Sequence, residues 1–326
     1  MEDLENKKYW IWFSLIKGLG CVRKNNLLKI YGTPEEIYKL SNRELLKVDG
    51  IGEETVTNII EAKNEKILNY HIKYMEENNI DIIHICEKSY PQALKQIYDA
   101  PASLYIRGNK EILNGKNIGI VGCRECTDYG KKAAKYFAYN LSKEKSVNIV
   151  SGLAKGVDSY AHWGSVGANI ECESTKNCGK KQESCGKINK NCGKINDDCG
   201  KLKNDCGKTI AILGNGLDMI YPKENIELAN EIIRNGGAII SEYPCGTKPD
   251  KMNFPARNRI ISGLSKGIIV IEAKEKSGTL ITVDFALEQG RDVFVVPGNI
   301  NSINSVGTND LIKQGAKMVT SYEDIK

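Results

Sequence analysis

From residue 118 onward, the chain alternates short apolar runs with longer amphipathic stretches. The apolar runs lie at 118–121, 148–150, 209–213, 238–241, 267–272 and 292–296. The amphipathic stretches, which fit helices, lie at 129–143, 157–166, 224–234, 257–264, 279–288 and 310–315. Continuous apolar strands that alternate with helices are typical of a parallel sheet covered on both faces. The pattern therefore predicts an α/β fold with a Rossmann-like, doubly wound parallel sheet over residues 117–326.

Residues 1–70 follow a helical pattern instead. Two segments interrupt it, Lys17–Cys21 and Val48–Thr55, and each places an apolar residue between two glycines. Glycine pairs allow a tight turn, whose N–H groups at the next helix N-terminus can hold a phosphate. We therefore expect a small all-α, SAM-like domain with two helix-hairpin-helix motifs. Whether these turns contact DNA or only pack stays open, with Lys17, Arg23 and Lys24 near the first turn.

Residues 71–116 form a predicted connector that leads into the sheet. It contains two predicted strands, at 81–86 and 103–107.

An insertion is predicted at 172–208, where Cys-Gly-Lys recurs every seven residues. A glycine after every cysteine disfavours a helix, and few apolar residues are present, so we expect this insertion to be disordered. Its five cysteines could ligate zinc, but their spacing is unlike that of compact zinc sites, so we predict no metal.

Charge and hydropathy exclude some classes of protein. The sequence has no apolar run of 18 residues and begins with acidic residues, so we expect no membrane span, no secretory signal and a cytoplasmic location. The formal net charge is +5, and nine lysines against four acidic residues in 176–208 account for all of it. The remaining chain is neutral, so composition alone gives no evidence for a nucleic-acid partner.

Glycines and charged residues gather directly after the predicted strands. In a doubly wound sheet these loops meet at one edge, where ligands bind. Glycines let the backbone approach a phosphate, helix N-termini supply N–H donors, and arginine can hold a phosphate through two hydrogen bonds. The candidate DNA- or phosphate-binding residues are Gly122, Cys123, Arg124, Ser151, Gly152, Lys155, Gly156, Arg257, Asn258, Arg259, Ser277, Gly278 and Thr279.

These loops carry a close resemblance to a known family. The most specific stretch is Phe-Pro-Ala-Arg-Asn-Arg-Ile-Ile at 254–261. Further matching stretches lie at 119–124, 151–158, 207–214, 277–282 and 290–298, with upstream matches at 90–91 and 104–108. The chain resembles the DprA/Smf family, the DNA-processing proteins of bacterial transformation. Cys123 stands where that family usually has serine, a small residue that should leave the turn intact.

The resemblance implies a function. It implies single-stranded DNA binding, protection of incoming DNA and loading of RecA, by a homodimer without catalysis or cofactor. It also makes Arg124 and Lys155 the main phosphate contacts, beside Arg257 and Arg259. Many relatives carry a C-terminal winged-helix-like domain, which we do not expect within these 326 residues.

Motifs in the sequence also suggest three other functions. Cys123 and Cys126 form a C-x-x-C between a strand and a helix, which is the placement of a redox pair. Gly207-Lys208-Thr209 imitates the end of a P-loop but lacks the first glycine. The main alternative is a Rossmann-like nucleotide N-glycosidase, in which Glu288, Glu242 or Glu272 would act as acid or base. Ion pairing with Arg257 or Arg259 is the favoured interpretation of these carboxylates.

Overall fold

A computed structural model describes residues 2–181 and 206–325. Its N-terminal part is helical, as the sequence predicts. The six helices are α1 (Glu2–Leu15), α2 (Cys21–Tyr31), α3 (Pro34–Lys39), α4 (Asn42–Leu45), α5 (Glu53–Glu61) and α6 (Glu65–Glu77). Gly18 and Gly50, at φ of 69° and 77°, make the two turns that the glycine pairs predict. The last helix continues to Glu77, past the predicted boundary at residue 70.

The described residues from 80 to 325 form one nine-stranded sheet with helices between its strands. The strands are β1 (Ile80–His84), β2 (Ser103–Gly108), β3 (Asn117–Val121), β4 (Asn148–Ser151), β5 (Thr209–Leu213), β6 (Ala238–Ser241), β7 (Gly267–Val270), β8 (Asp292–Val295) and β9 (Lys317–Met318). The helices are α7 (Gln92–Lys95), α8 (Asp128–Lys145), α9 (Val157–Lys181), α10 (Ile226–Arg234), α11 (Asn253–Leu264), α12 (Gly278–Glu288) and α13 (Val306–Lys313). Short 3₁₀ turns lie at Lys110–Asn114, Lys223–Asn225, Ile303–Ser305 and Tyr322–Asp324.

The strand order creates a crevice in the middle of the sheet. Across the sheet the order is β1-β2-β6-β5-β4-β3-β7-β8-β9. The parallel part of the sheet begins with β3, and β4, β5 and β6 follow in order on one side of it. The strands β7, β8 and β9 then follow in order on the other side of β3. The connections therefore run in opposite directions from β3 and β7. This topological switch point is where doubly wound sheets bind ligands, at the carboxyl ends of the strands.

The sheet is mixed rather than purely parallel. Both strands expected in the connector are present: β1 pairs antiparallel with β2, and β2 pairs antiparallel with β6. Residues 80–108 therefore extend the sheet at one edge instead of forming a separate link. The six strands that the sequence predicts after the connector, β3 to β8, pair parallel with one another. The short strand β9, which was not predicted, pairs parallel with β8.

The helical part docks on the antiparallel edge of the sheet. Trp12 and Leu27 belong to the same buried apolar cluster as Tyr105 of β2 and Ile239 of β6. Polar contacts cross the same boundary: a short hydrogen bond joins Ser14 to Tyr105. Trp10 also stacks on His84, with 4.0 Å between ring centroids. The two parts therefore share one core.

Helix α9 runs from the second site loop toward the predicted insertion. It continues to Lys181, well beyond the predicted end at Val166, so the start of the Cys-Gly-Lys repeat continues the helix. Residues 182–205, which hold most of the repeat, lie outside the described residues, and so does the expectation of disorder there. Among the helices of the described ranges, none is both long and apolar enough to cross a membrane.

Candidate functional site

An open cavity of about 640 Å³ lies at the switch point, at the carboxyl ends of β3 and β7. The loops after β3, β4 and β7 and the start of α11 form its walls. Ten of the thirteen predicted site residues line this cavity or the smaller hollow of about 60 Å³ beside it: Gly122, Cys123, Arg124, Gly152, Lys155, Arg257, Asn258, Ser277, Gly278 and Thr279. The geometry that the loop positions predict is therefore present.

Two glycines bring the loops after β3 and β4 into contact. A Cβ on Gly122 would lie 2.7 Å from the Val157 side chain at the start of α9. Gly156 has φ of 77°, and a Cβ there would collide with the carbonyls of Cys123 and Arg124. The two loops therefore touch through their backbones, and the side chain of Arg124 lies exposed at the rim of the cavity.

Arg124 lies over an aromatic surface. Its guanidinium carbon is 5.7 Å from the centre of the Phe254 ring, and that ring stacks on Tyr221 with centroids 5.7 Å apart. A cation beside exposed ring faces can hold a phosphate while a base stacks on the rings. Lys155 is next to this surface and pairs with Glu224 at 2.7 Å. Both partners are more than half exposed, so a bound phosphate can compete with that weak pair.

Arg257 forms the floor of the site rather than a mobile contact. It is buried, and Nη1 donates to the carbonyls of Gly152, at 2.7 Å, and Ile212. Asp158 accepts from the Gly152 N–H at 3.2 Å and lies beside this guanidinium. Burial lowers the pKa of Arg257 to about 10 and raises the pKa of Asp158. The pair fixes the loop after β4.

Arg259 lies outside the cavity, contrary to the prediction that it sits beside Arg257 as a phosphate contact. It is buried and binds both carboxylate oxygens of Glu242, at 2.7 and 2.9 Å. It also pairs with Asp99 at 2.8 Å and donates to Cys21 Sγ at 3.1 Å. The cluster joins α2, the connector and the end of β6. Its role in this structure is to hold the helical part against the sheet.

Ser151 and Asn258 also differ from simple phosphate contacts. Ser151 is fully buried and donates to the Ile120 carbonyl at 2.7 Å, so it ties β4 to β3 behind the cavity. Asn258 lines the cavity while its Oδ1 accepts from Arg257 Nε at 3.2 Å. Asn258 therefore orients Arg257 and still presents its side chain to the cavity.

The start of α12 supplies backbone donors on the far wall. Ser277 is the N-cap, and its hydroxyl accepts from the Thr279 N–H at 3.2 Å. Gly278 has no neighbouring atom within 4 Å of an added Cβ, so the backbone there is open. A helix N-terminus carries a partial positive charge that favours anions.

Three lysines of the site were not among the candidate residues. Lys251, Lys274 and Lys276 line the cavity together with Arg124 and Arg257. Lys274 pairs with Glu125 at 3.2 Å on the exposed rim. Five cationic side chains thus face two carboxylates, those of Glu125 and Asp158. Lys274 and Lys276 follow β7 directly, so the position of the switch point was the signal that could have found them.

The carboxylates and thiols of the alternative functions are placed elsewhere or held inactive. Glu242 pairs with Arg259, as favoured, and Glu272 accepts instead from the Thr127 N–H at 2.9 Å. In the described ranges, the cavity lining includes none of Glu242, Glu272 and Glu288. Burial raises the pKa of both Cys123 and Cys126, which opposes the thiolate that a redox pair needs. The described residues include no cluster of three or more metal-ligating side chains.

The two helix-hairpin-helix turns lie close together, and two of the three cations near the first turn make hydrogen bonds within this part of the chain. Arg23 donates to the carbonyls of Gly18, at 2.8 Å, and Gly50, at 3.5 Å, so it bridges the two turns. Lys24 is enclosed, with Nζ donating to the Ser14 carbonyl at 3.3 Å. Lys17 remains exposed. These contacts favour the interpretation that the first turn packs within the protein rather than contacts DNA. They involve carbonyl groups and do not use the backbone N–H groups of that turn.

Comparison with protein families matches two models. The model of DNA recombination-mediator protein A matches residues 81–195 and 200–326, which is well over half of the chain. The chain belongs to the DprA family. A second model, of a SAM-like helix-hairpin-helix tandem, matches residues 14–64 and confirms the predicted N-terminal motifs.

Individual DprA proteins match over most of the chain. The DNA processing protein DprA of Bacillus subtilis is 40% identical over 250 residues, 76% of this chain and 71% of its own. The solved structure of DprA from Streptococcus pneumoniae aligns with a TM-score of 0.75 at 33% identity, over 98% of this chain and 96% of that one. A Helicobacter pylori DprA structure, described for its single-stranded DNA binding mode, aligns with a TM-score of 0.57 at 27% identity. It covers 76% of this chain and 93% of its own. The DprA fold and the SAM-like domain are thus established.

Proposed function

We propose that this chain binds single-stranded DNA in the switch-point cavity, as a DNA-processing protein of the DprA family. The observation that carries the proposal is the excess of cations around the cavity, five against two carboxylates, on a chain that is otherwise neutral outside 176–208. A local concentration of positive charge is the electrostatic signature of a polyanion site. The Helicobacter pylori relative, which binds single-stranded DNA, supports the same ligand.

The cavity offers two kinds of contact to a single strand, one to its phosphates and one to its bases. Arg124, Lys251 and Lys276 provide charge for phosphates, and the start of α12 adds N–H donors. The Phe254 and Tyr221 rings provide faces on which a base can stack. Stacking is available to an unpaired base and not to one inside a duplex, so this arrangement favours single strands and gives little sequence preference.

The biological role follows from family membership. We propose that the chain protects incoming DNA and loads RecA onto it in transformation or recombination, as a homodimer in the cytoplasm. We propose no catalytic step and no cofactor for this role. Glu242, Glu272 and Glu288 are not in the described cavity lining. The two carboxylates that do line it are engaged by cations, Asp158 beside the buried Arg257 and Glu125 with Lys274. Both observations support this proposal, because hydrolysis of a glycosidic bond needs an available acid or base.

Fluorescence anisotropy with a labelled single strand of about 20 nucleotides, competed by the matching duplex, tests the proposal. We expect the single strand to bind more tightly than the duplex. Arg124→Ala should weaken single-strand binding about tenfold, a typical loss for one charged contact. The matched control is Arg234→Ala, since Arg234 is an exposed arginine at the end of α10 and lines neither cavity of the site. Equal affinities of the two variants would overturn the placement of the site.

A further inference from the structure

A second concavity, of about 270 Å³, lies along α8, away from the switch-point cavity. Its floor is apolar and buried, formed by Phe137 of α8 and Val296 after β8. Two tyrosines stand at its walls: Tyr129 is 50% exposed and Tyr136 is 42% exposed. We call this concavity the α8 groove. Exposed aromatic rings around an apolar floor are unusual on a protein surface and indicate a binding surface.

The tyrosine rings of the α8 groove are held in place. The Tyr129 hydroxyl donates to the Pro297 carbonyl at 2.8 Å. Tyr136 packs edge-on against Phe137, with centroids 5.4 Å apart, and against Tyr322, with centroids 6.2 Å apart. Rings that are already fixed lose little conformational entropy when a flat ligand stacks on them.

The helix that carries the groove is basic. Residues 128–145 contain five lysines and two acidic residues, in a chain that is neutral outside 176–208. Lys132 is exposed and lines the groove. Outside the groove lining, on other faces of α8, Lys135 lies 5.4 Å from the centre of the Tyr160 ring, and Lys145 lies 5.9 Å from that of Tyr322. Cations beside aromatic faces suit an anionic ligand that also has flat rings, which describes a nucleic acid strand.

The groove is a separate concavity that begins close to the switch-point cavity. Glu125 lines the cavity, and Tyr129, four residues later, lines the groove. Four residues of extended chain span at most about 14 Å, so the two surfaces adjoin. Lys131 lies in the first turn of α8, outside the groove lining, 6.0 Å from the centre of the Tyr160 ring, and it pairs with the exposed Asp128. A strand that leaves the cavity past Arg124 therefore reaches the groove within a few nucleotides.

We propose that the α8 groove is a second contact for the same single strand, in which unpaired bases stack on Tyr136 and Tyr129 while Lys132 neutralises a phosphate. This inference rests on the proposed function, because it assumes that the cavity holds the strand. It predicts a site that is longer than the cavity. Short strands fill the cavity alone, and longer strands gain affinity from the groove.

The test compares the intact chain with Tyr136→Ala and Lys132→Ala on two labelled strands, of about 6 and about 20 nucleotides. We expect each variant to bind the longer strand about five- to tenfold more weakly and to bind the shorter strand as the unmodified chain does. Tyr70→Ala is the matched control, since Tyr70 is 65% exposed on α6 in the helical part. Thermal melting of each variant separates lost binding from lost folding.

A direct readout comes from photocrosslinking. A strand that carries iodouracil at successive positions should crosslink to Tyr129 or Tyr136, identified by mass spectrometry of the digested chain. Unchanged affinity of both variants for the longer strand, with no crosslink to α8, would overturn the α8 groove as a DNA contact. If α8 binds a protein and the labelled strand gives no crosslink to Tyr129 or Tyr136, the α8 groove is likewise not a DNA contact. Failure of the unmodified chain to bind either strand would instead overturn the proposed function, and this inference with it.

Discussion

At the scale of single residues, two arginines on one helix have separate tasks because of helical geometry. Arg257 and Arg259 are two positions apart on α11, which turns their side chains about 200° away from each other. Arg257 therefore points into the floor beneath Gly152, and Arg259 points to Glu242 and Asp99. Arg124, which is exposed at the rim, is the arginine free to move toward a ligand.

Gly152 has no room for a side chain, and this gives a stability prediction. A Cβ there would lie 2.5 Å from Arg257 Nη2 and 2.7 Å from Asp158 Oδ2. Gly152→Ala should lower the free energy of unfolding by about 1–3 kcal/mol, because the buried pair must shift. Gly167→Ala is the control: no atom lies within 4 Å of its added Cβ inside α9, so it should stabilise by about 0.5–1 kcal/mol. Urea unfolding measures both, and equal effects would contradict the role of Gly152.

His162 predicts a pH dependence of stability. It is fully buried against Thr209, and burial lowers its pKa from 6.5 to about 3. Between these two pH values the unfolded chain binds the proton that the folded chain refuses, so stability falls as the pH falls below about 6.5. His162→Gln does not titrate and should lose about 1–2 kcal/mol less than the unmodified chain between pH 7.5 and pH 5. Urea unfolding at both pH values checks this, and parallel losses would contradict it.

At the scale of elements, the N-terminus of α12 is the wall of the site that can be changed without steric cost. Gly278 is its first residue, and a Cβ there meets no atom within 4 Å. The wall can thus be given a negative charge while the helix stays intact, since a carboxylate in the first turn favours a helix. Changes at this position separate the electrostatics of the site from the stability of the fold.

Gly278→Asp should therefore weaken single-strand binding about tenfold and leave the free energy of unfolding unchanged or slightly higher. The cause is repulsion between the new carboxylate and a bound phosphate. Gly278→Ser, which adds a side chain of similar size without charge, should bind within about twofold of the unmodified chain. Anisotropy and urea unfolding are measured on both variants. An aspartate variant that binds as tightly as the serine variant would show that no phosphate lies near α12.

The elements show what the sequence could predict and what it could not. The six parallel strands and their helices were predictable because periodicity records burial, and the site loops followed from the strand ends. Arg259 was misplaced because the prediction grouped it with Arg257 as a phosphate contact, although residues two positions apart on a helix point in different directions. The antiparallel pairing of β1 with β2 and of β2 with β6 depends on contacts distant in sequence, which local patterns do not contain.

At the scale of the whole molecule, the helical part and the sheet are coupled by a common core. The buried cluster around Trp12 and Tyr105 continues to Ile239, and the ion pairs of Arg259 close the same boundary. Parts that share a core of this kind are expected to unfold together. The helical part is thus a fixed neighbour of the site.

Unfolding of a Trp163→Phe variant tests this coupling. That variant keeps Trp10 and Trp12, which lie in α1, so its fluorescence reports on the helical part, while circular dichroism reports mainly on the rest. We expect the two transitions to coincide in urea, because exposing the shared core destabilises both parts. A fluorescence transition at clearly lower urea would show that the helical part unfolds separately.

The measurement that tests the central claim most directly is the salt dependence of single-strand binding, for the unmodified chain, Arg124→Ala and Arg234→Ala. Cations that neutralise phosphates release counterions, so log Kd should rise linearly with log salt concentration. We predict that Arg124→Ala lowers this slope by about one, since it removes one phosphate contact, and that Arg234→Ala leaves it unchanged. A slope that is the same for all three chains would contradict the claim that the switch-point cavity holds the DNA backbone.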